Sequence, residues 1–452
     1  MDFKGKRVLV VGLGKSGVSA ALYLRTLGAR VTVSDTRTSD ALAKEIPALL
    51  NAGVMVESGG HGVLTFRRQD LIVLSPGVPL STPEVQQSMR FGVPIIGEVE
   101  LASLALQGRI VAITGSNGKT TTTSLVGHIL AHAGLQTSIG GNIGLPVVDM
   151  IQGSTDKTWN VLEVSSFQLE TIDTFRPHIA AVLNITPDHL DRHGSFENYA
   201  AAKGRITENQ TPDDYLVLNA EDKPTQMVAA KTKAQIFWFS GIRRIKQGAF
   251  AHNDGIYFIA QEGGTPEPVM PLAEIPLRGA HNVENVLAAI AMAKLAGVAT
   301  DDIREAVASF SAVDHRLQFV AKKRGVDYYN DSKATNVDAT IKALESFPSG
   351  IRLILGGKDK ASDYTQLVPL LKARTVAVYT IGMAADIIAA QIGEEVKLTA
   401  AGTLDQAVRL ASEAAQSGDT VLLAPACASF DQFTSYEHRG RVFVDLVKAL
   451  PD

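Results

Sequence analysis

Residues 111–123, "VAITGSNGKTTTT", place two glycines, a lysine and a run of threonines between an apolar strand and a helical stretch. That arrangement suits a polyphosphate. Glycines let backbone N–H groups approach phosphate oxygens, and the helix N-terminus adds a favourable dipole. Lys119 can neutralise β- and γ-phosphate charge, and Thr120 offers a hydroxyl to Mg²⁺. Gly115, Ser116, Asn117, Gly118, Lys119 and Thr120 are therefore candidate ATP-binding residues. The full P-loop spacing would put a glycine at position 113, where Ile113 stands.

A second glycine turn, "VVGLGKSG" at 10–17, fits G-x-G-x-x-G through Gly12, Gly14 and Gly17. Asp35 ends the next strand, near the offset of a ribose-binding acid. The same turn cradles any pyrophosphate, so it does not by itself select a nicotinamide cofactor.

Other candidates follow. Glu163, in "VLEVSSFQLE", ends a buried strand and can hold Mg²⁺ beside Thr120. In "PDHLDRHG", His189 and His193 are four apart, as in H-E-x-x-H, but Leu190 stands where the acid belongs and Gly194 ends the segment. Zinc is disfavoured. His189 is better placed for Mg²⁺ or phosphate work, and His193 reads as an exposed turn residue. By residue type Lys203, in "SFENYAAAKGRITEN", reads as a solvated helix lysine. Cys427 pairs with no base by spacing and reads as a small packed residue.

These residues sit on alternating strand and helix patterns. "RVLVVG", "RVTVSD" and "DLIVLSPG" read as strands, with a helical stretch between the first two. "RIVAITG", "WNVLEVS", "IAAVLNIT" and "DDYLVLNA" form a second strand series. A hairpin follows around Asn253, Asp254 and Gly255, then helices at "NVENVLAAIAMAKLAG" and "TDDIREAVASF". "IRLILGG", "TVAVYTIG" and "DTVLLAPA" form a third series. Alternation of this kind predicts mostly parallel sheets. The expectation is three α/β domains, over 1–97, 98–312 and 313–452, the third beginning near Val313.

The 452 residues allow two to four domains at roughly 100–200 residues each. A net charge of −4 gives no basic footprint for nucleic acid. One cysteine forms no intramolecular disulfide, which fits a reducing compartment. No apolar run reaches the roughly 18 residues of a membrane span. "MDFKGKRVLVVGLGKSG" reads as a strand and turn, because Lys15 interrupts its apolar run. A cytoplasmic protein without membrane insertion is expected, as a monomer.

"TGSNGKTTT", "GGNIGLP", "EVSSFQLE", "NITPDHLDRH", "AAAKGRI", "GAHNVEN", "DHR", "NDSKATN" and "PACASFDQF" occur in the order found in the Mur ligases, and the resemblance covers essentially the whole chain. "NDSKATN" and "PACASFDQF" are similar to the branch that adds D-glutamate to UDP-N-acetylmuramoyl-L-alanine. The D-N-P-R motif of the diaminopimelate- or lysine-adding branch is absent. The family uses a shortened loop, G-[ST]-N-G-K-[ST], which accounts for Ile113.

The resemblance implies a Rossmann-like N-terminal domain, a P-loop-type central ATPase domain and a Rossmann-like C-terminal domain. It implies amide synthesis driven by ATP and two Mg²⁺. Lys119, Asn142, His189 and Lys203 would be catalytic. Thr120, Glu163, His189 and a carbamylated Lys203 would hold metal. Thr121, Asn282, Arg316 and Asp331 would join the ATP site. Leu13, Lys15, Ser16, Asp35, Thr36, Arg37, Gly77, Asn142 and Ser165 would bind the UDP substrate. Lys333, Thr335, Lys360, Ser429, Phe430 and Tyr436 would surround D-glutamate, with Lys360 favoured over Lys358.

Three rivals remain at this level. A folylpolyglutamate-synthetase-like ligase lacks the N-terminal nucleotide domain. A P-loop switch protein would not need the acceptor-site matches. A nicotinamide dehydrogenase rests on Gly12–Gly17 alone.

Overall fold

The computed structural model describes residues 2–311 and 314–451. Ala312 and Val313, at the expected second boundary, lie outside the described residues. The chain separates into two compact units. One comprises Met1–Ile185, Arg192–Met270 and Val286–Ala306; the other comprises Thr186–Asp191, Pro271–Asn285 and Val307–Asp452.

In the first unit, β1 (Arg7–Val11), β2 (Arg30–Asp35), β3 (Met55–Ser58), β4 (Leu71–Leu74) and β5 (Ile95–Gly97) form a parallel sheet in the order β3-β2-β1-β4-β5. Their apolar runs are near-continuous because helices cover both faces of such a sheet. The order reverses at β1, which pairs with β2 on one side and β4 on the other. A crevice opens at the carboxyl ends of strands at such a switch point. Gly17 permits the tight β1 turn: a Cβ there would lie 1.9 Å from the Gly12 carbonyl oxygen.

The same unit holds β6 (Arg109–Thr114), β7 (Thr137–Gly141), β8 (Trp159–Glu163), β9 (Ile179–Val182), β10 (Tyr215–Asn219), β11 (Gln235–Ser240), β12 (Gly248–His252), β13 (Gly255–Ile259) and β14 (Glu267–Pro271). Their order is β14-β13-β12-β11-β10-β9-β6-β8-β7. The strands from β7 to β12 in this order are parallel, and β12 and β13 form the antiparallel hairpin expected at Asn253. One apolar cluster runs from Val8 and Val33 of the first sheet to Ala112 and Leu162 of the second, so the two sheets share a core. Glu100 strengthens the join by accepting bonds from the N–H groups of Asp173, Thr174 and Phe175.

The second unit is built on β15 (Gln318–Lys323), β16 (Val326–Asn330), β17 (Ile351–Gly356), β18 (Thr375–Ile381), β19 (Leu398–Gly402) and β20 (Thr420–Leu423), in the order β15-β16-β20-β17-β18-β19. All pairs but β15–β16 are parallel. The loops that follow β16, β20 and β17 therefore leave one edge of the sheet side by side.

Candidate active site

The phosphate loop joins β6 to the helix Lys119–His132. Gly118 caps that helix at φ +84°, a left-handed conformation that favours glycine. Asn184, just past β9, holds the loop from behind. Its backbone carbonyl accepts from Ser116 N–H at 2.9 Å, and its Oδ1 accepts from Asn117 N–H at 2.8 Å. Tyr199 adds a hydroxyl contact to Ser116 at 3.0 Å. Sequence reading assigned no role to Asn184 or Tyr199; "NIT" and "AAAK" mark their neighbourhoods, but neither side chain's contact is local in the chain.

Thr120 and Glu163 meet as expected. The Thr120 hydroxyl donates to Glu163 Oε2 at 2.7 Å, and Asn142 Nδ2 donates to Oε1 at 2.7 Å. Glu163 is fully buried while Asn142 is exposed, so the cluster runs from the sheet edge to the surface. A carboxylate and a hydroxyl converging in this way are the hard oxygen donors that suit Mg²⁺.

Lys203 departs from the solvated reading suggested by residue type. It is 1% exposed, its Nζ donates to the Gly115 carbonyl at 2.8 Å, and it lies 4.6 Å from the centre of the Tyr199 ring. Lys119 Nζ donates to the same carbonyl at 2.8 Å and to that of Ser116 at 2.9 Å. Two ammonium groups thus converge on one backbone oxygen. Thr121 is buried in the first turn of the loop helix.

His193 is not an exposed turn residue. It is buried, within 3.0 Å of the Ser166 hydroxyl and 3.2 Å of Glu170, and stacked on Phe167. These partners lie more than 20 residues earlier, so local spacing could not reveal them. Ser165, expected at the UDP substrate, caps the helix Ser166–Leu169 in a reciprocal box with Gln168. Cys427 is buried, as expected, with Burial pushing its thiol up to about 11.

A cleft of about 380 Å³ opens at the carboxyl ends of the first sheet's strands. Leu13, Lys15, Ser16, Asp35, Thr36, Arg37 and Gly77 all line it, together with His61, Ser75 and Val78. Asp35 accepts from Leu13 N–H at 2.7 Å and pairs with the Arg37 guanidinium at 2.8 Å. Burial alone would raise its pKa, but Arg37 and the backbone donors hold the carboxyl down at about 2. Asp35 is thus committed to the protein and to Arg37.

In the second unit, His189 has φ +53° and lies beside Asp188. Asp188 also accepts from Asn336 at 3.1 Å and faces Lys360 at 3.7 Å. Lys360 is half-buried and Lys358 exposed. Lys333 Nζ lies over the Tyr436 ring at 4.9 Å. Ser429 is buried and Phe430 is 67% exposed. Thr335 follows Lys333 in the loop after β16. Arg439, which sequence reading missed, is fully buried and clamps two of these loops: it donates to Ser332 and to the Cys427 carbonyl.

Asp331 is buried and accepts from Leu317 N–H at 3.2 Å. Burial pushes its carboxyl up to about 6, against the pull of Arg316. Asn282 lies at the start of the helix Ala280–Leu295 and donates to the Arg278 carbonyl at 2.6 Å. The expected ATP residues thus divide into the phosphate loop in one unit and Asn282, Arg316 and Asp331 in the other.

Three family descriptions match along the chain: Mur ligase MurD-like N-terminal domain over 6–97, Mur ligase middle domain over 113–293, and Mur ligase glutamate ligase domain over 315–427. The chain is 64% identical over 449 residues to the UDP-N-acetylmuramoylalanine--D-glutamate ligase of Acidobacterium capsulatum, covering 99% of this chain and 97% of that protein. It is 58% identical over 452 residues to the protein of the same name from Koribacter versatilis, covering 100% and 99%. Among solved structures, UDP-N-acetylmuramate-alanine ligase from Thermotoga maritima superposes with a TM-score of 0.62 at 20% identity, covering 98% of this chain and 99% of that one. The pseudomurein peptide ligase type C of Methanothermus fervidus gives 0.59 at 20% identity, covering 98% and 99%. These structures show the shared fold.

Proposed function

Because the chain belongs to the Mur ligase family, we propose that it joins D-glutamate to UDP-N-acetylmuramoyl-L-alanine at the expense of ATP, in peptidoglycan precursor synthesis. The observation that carries the chemistry is the Thr120–Glu163–Asn142 cluster beside a lysine-bearing phosphate loop. We take the domains as 1–97, 98–312 and 313–452, and the protein as a cytoplasmic monomer.

The muramoyl-alanine carboxylate attacks the γ-phosphate of ATP, giving an acyl phosphate and ADP. The D-glutamate amine then displaces phosphate. Three anionic species meet here, so clustered cations and fixed donors dominate the rate. Lys119 swings from the carbonyls of Gly115 and Ser116 to the phosphates. Ser116, Asn117, Gly118 and Thr121 grip them from the loop. Mg²⁺, two ions in this reading, would neutralise phosphate charge and polarise the transferring group when bound. Thr120 and Glu163 would hold one ion, and His189 and a carbamylated Lys203 are each taken as further metal ligands.

The ammonium groups of Lys119 and Lys203 meet at the Gly115 carbonyl. Carbamylation of Lys203 replaces one ammonium with an anion beside Lys119, which gives the pair opposite charges. Asn142 orients the reacting carboxylate. Asn282, Arg316 and Asp331 hold the nucleoside end of ATP. Lys333, Thr335, Lys360, Ser429, Phe430 and Tyr436 hold D-glutamate, two lysines facing two carboxylates. The first cleft holds UDP, with Lys15, Ser16 and Arg37 at the diphosphate, Leu13 and Thr36 beside them and Gly77 opposite. Asp35 orients Arg37.

The acyl-phosphate route is tested with ¹⁸O in the muramoyl-alanine carboxylate. The expected result is one ¹⁸O atom in each phosphate released; phosphate free of label would overturn the route.

A further inference from the structure

His61 lines the first cleft and belongs to no motif in the sequence. Its ring is held on two sides. Nδ1 lies 2.8 Å from the hydroxyl of Ser34, a residue with no exposed surface, and the ring meets Phe66 edge-on at 5.4 Å. The Ser34 hydroxyl oxygen also lies 3.4 Å from the Gly60 carbonyl, and a donor bond there assigns its one proton to Gly60. With that proton on Gly60, Nδ1–H donates to Ser34, and Nε2 becomes a hydrogen-bond acceptor. A buried strand hydroxyl is thereby spent on orienting a half-exposed imidazole.

In a glycine-turn nucleotide domain the acid at the end of the second strand normally accepts from the ribose. Here Asp35 is taken by Leu13 N–H and Arg37. An acceptor for the nucleoside must come from elsewhere in the cleft. The anion end is set by the helix Lys15–Thr26, which begins at the β1 turn. His61 follows β3, two strands along in the order β3-β2-β1, or roughly 10 Å from that turn at ordinary strand spacing. That span matches the step from a diphosphate to its nucleoside.

We infer that His61 reads the uridine of the substrate, its Nε2 accepting a hydrogen bond from a ribose hydroxyl or the uracil N3–H. The inference rests on the assignment of this cleft to UDP. An acceptor nitrogen gives nothing to a diphosphate, so the two ends of the ligand separate in experiment.

The test uses the full chain, with UDP and inorganic pyrophosphate titrated by calorimetry. His61→Ala should weaken UDP about tenfold, the upper range for one hydrogen bond, and leave pyrophosphate within about twofold. The KM for the UDP substrate should rise in parallel, with kcat and the KM for ATP unchanged. His61→Phe keeps a ring against Phe66 and should show the same loss, so it carries the test where the alanine variant does not fold. UDP affinity unchanged in His61→Phe, or equal weakening of UDP and pyrophosphate, would overturn the inference alone. A wild-type chain that binds no UDP would overturn the assignment of the cleft as well.

Discussion

The Thr120 hydroxyl, in the helix after the phosphate loop, and the Glu163 carboxylate, at the end of β8, are 43 positions apart and meet at 2.7 Å. Their union depends on register: Ile113 pairs with Glu163, so the acid ends its strand where the phosphate loop begins. Glu163→Gln keeps the shape and removes the charge. Turnover should fall by at least roughly 100-fold with the melting temperature nearly unchanged. Steady-state kinetics across a Mg²⁺ titration checks this, and near-normal turnover at low Mg²⁺ would remove Glu163 from the metal site.

Lys203→Ala should nearly abolish ligation, and a small carboxylate such as acetate should restore part of it. Labelled bicarbonate should give a carbamate resonance in the wild type that is missing from the variant. Full activity in the alanine variant would contradict a metal-holding carbamate.

Glu98 sets a pH dependence of stability. It is 2% exposed, its Oε1 accepts from Val148 N–H at 2.8 Å, and among the described residues its Oε2 has no hydrogen-bond partner. Burial pushes the carboxyl from 4.5 up to about 7; Asp149 adds to this, and the N–H groups of Val147 and Val148 oppose it. Below pH 4.5 the group is neutral in both folded and unfolded chains. Between there and about pH 7 the unfolded chain ionises first, so folded stability declines as pH rises. Glu98→Gln should remove a decline on the order of 3 kcal/mol. Denaturant melts at pH 4.5 and pH 8 measure it; equal effects of the substitution at both would refute the assignment.

Much of the architecture was legible because strand–helix alternation is a local signal. β1, β2, β4, β6, β8, β9 and β10 fall on the apolar runs read as strands. The phosphate loop was legible for the same reason, since its glycines, lysine and threonine are consecutive. Residues whose roles depend on distant partners were not. His193 is turned inward by Ser166 and Glu170. Asn184 backs the loop 67 positions away, and Arg439 reaches Ser332 across 107. His61 is defined by Ser34 and by a cleft that exists only once β1 to β4 have paired. Ser165 shows the converse: a motif position whose side chain is occupied in capping.

The central claim is the identity of the bond formed. Purified chain with Mg²⁺, ATP, UDP-N-acetylmuramoyl-L-alanine and D-glutamate should release phosphate only when all three substrates are present. Mass spectrometry of the product should show the UDP substrate extended by one glutamyl residue. Phosphate release without D-glutamate, or robust product with L-lysine or diaminopimelate in its place, would contradict it.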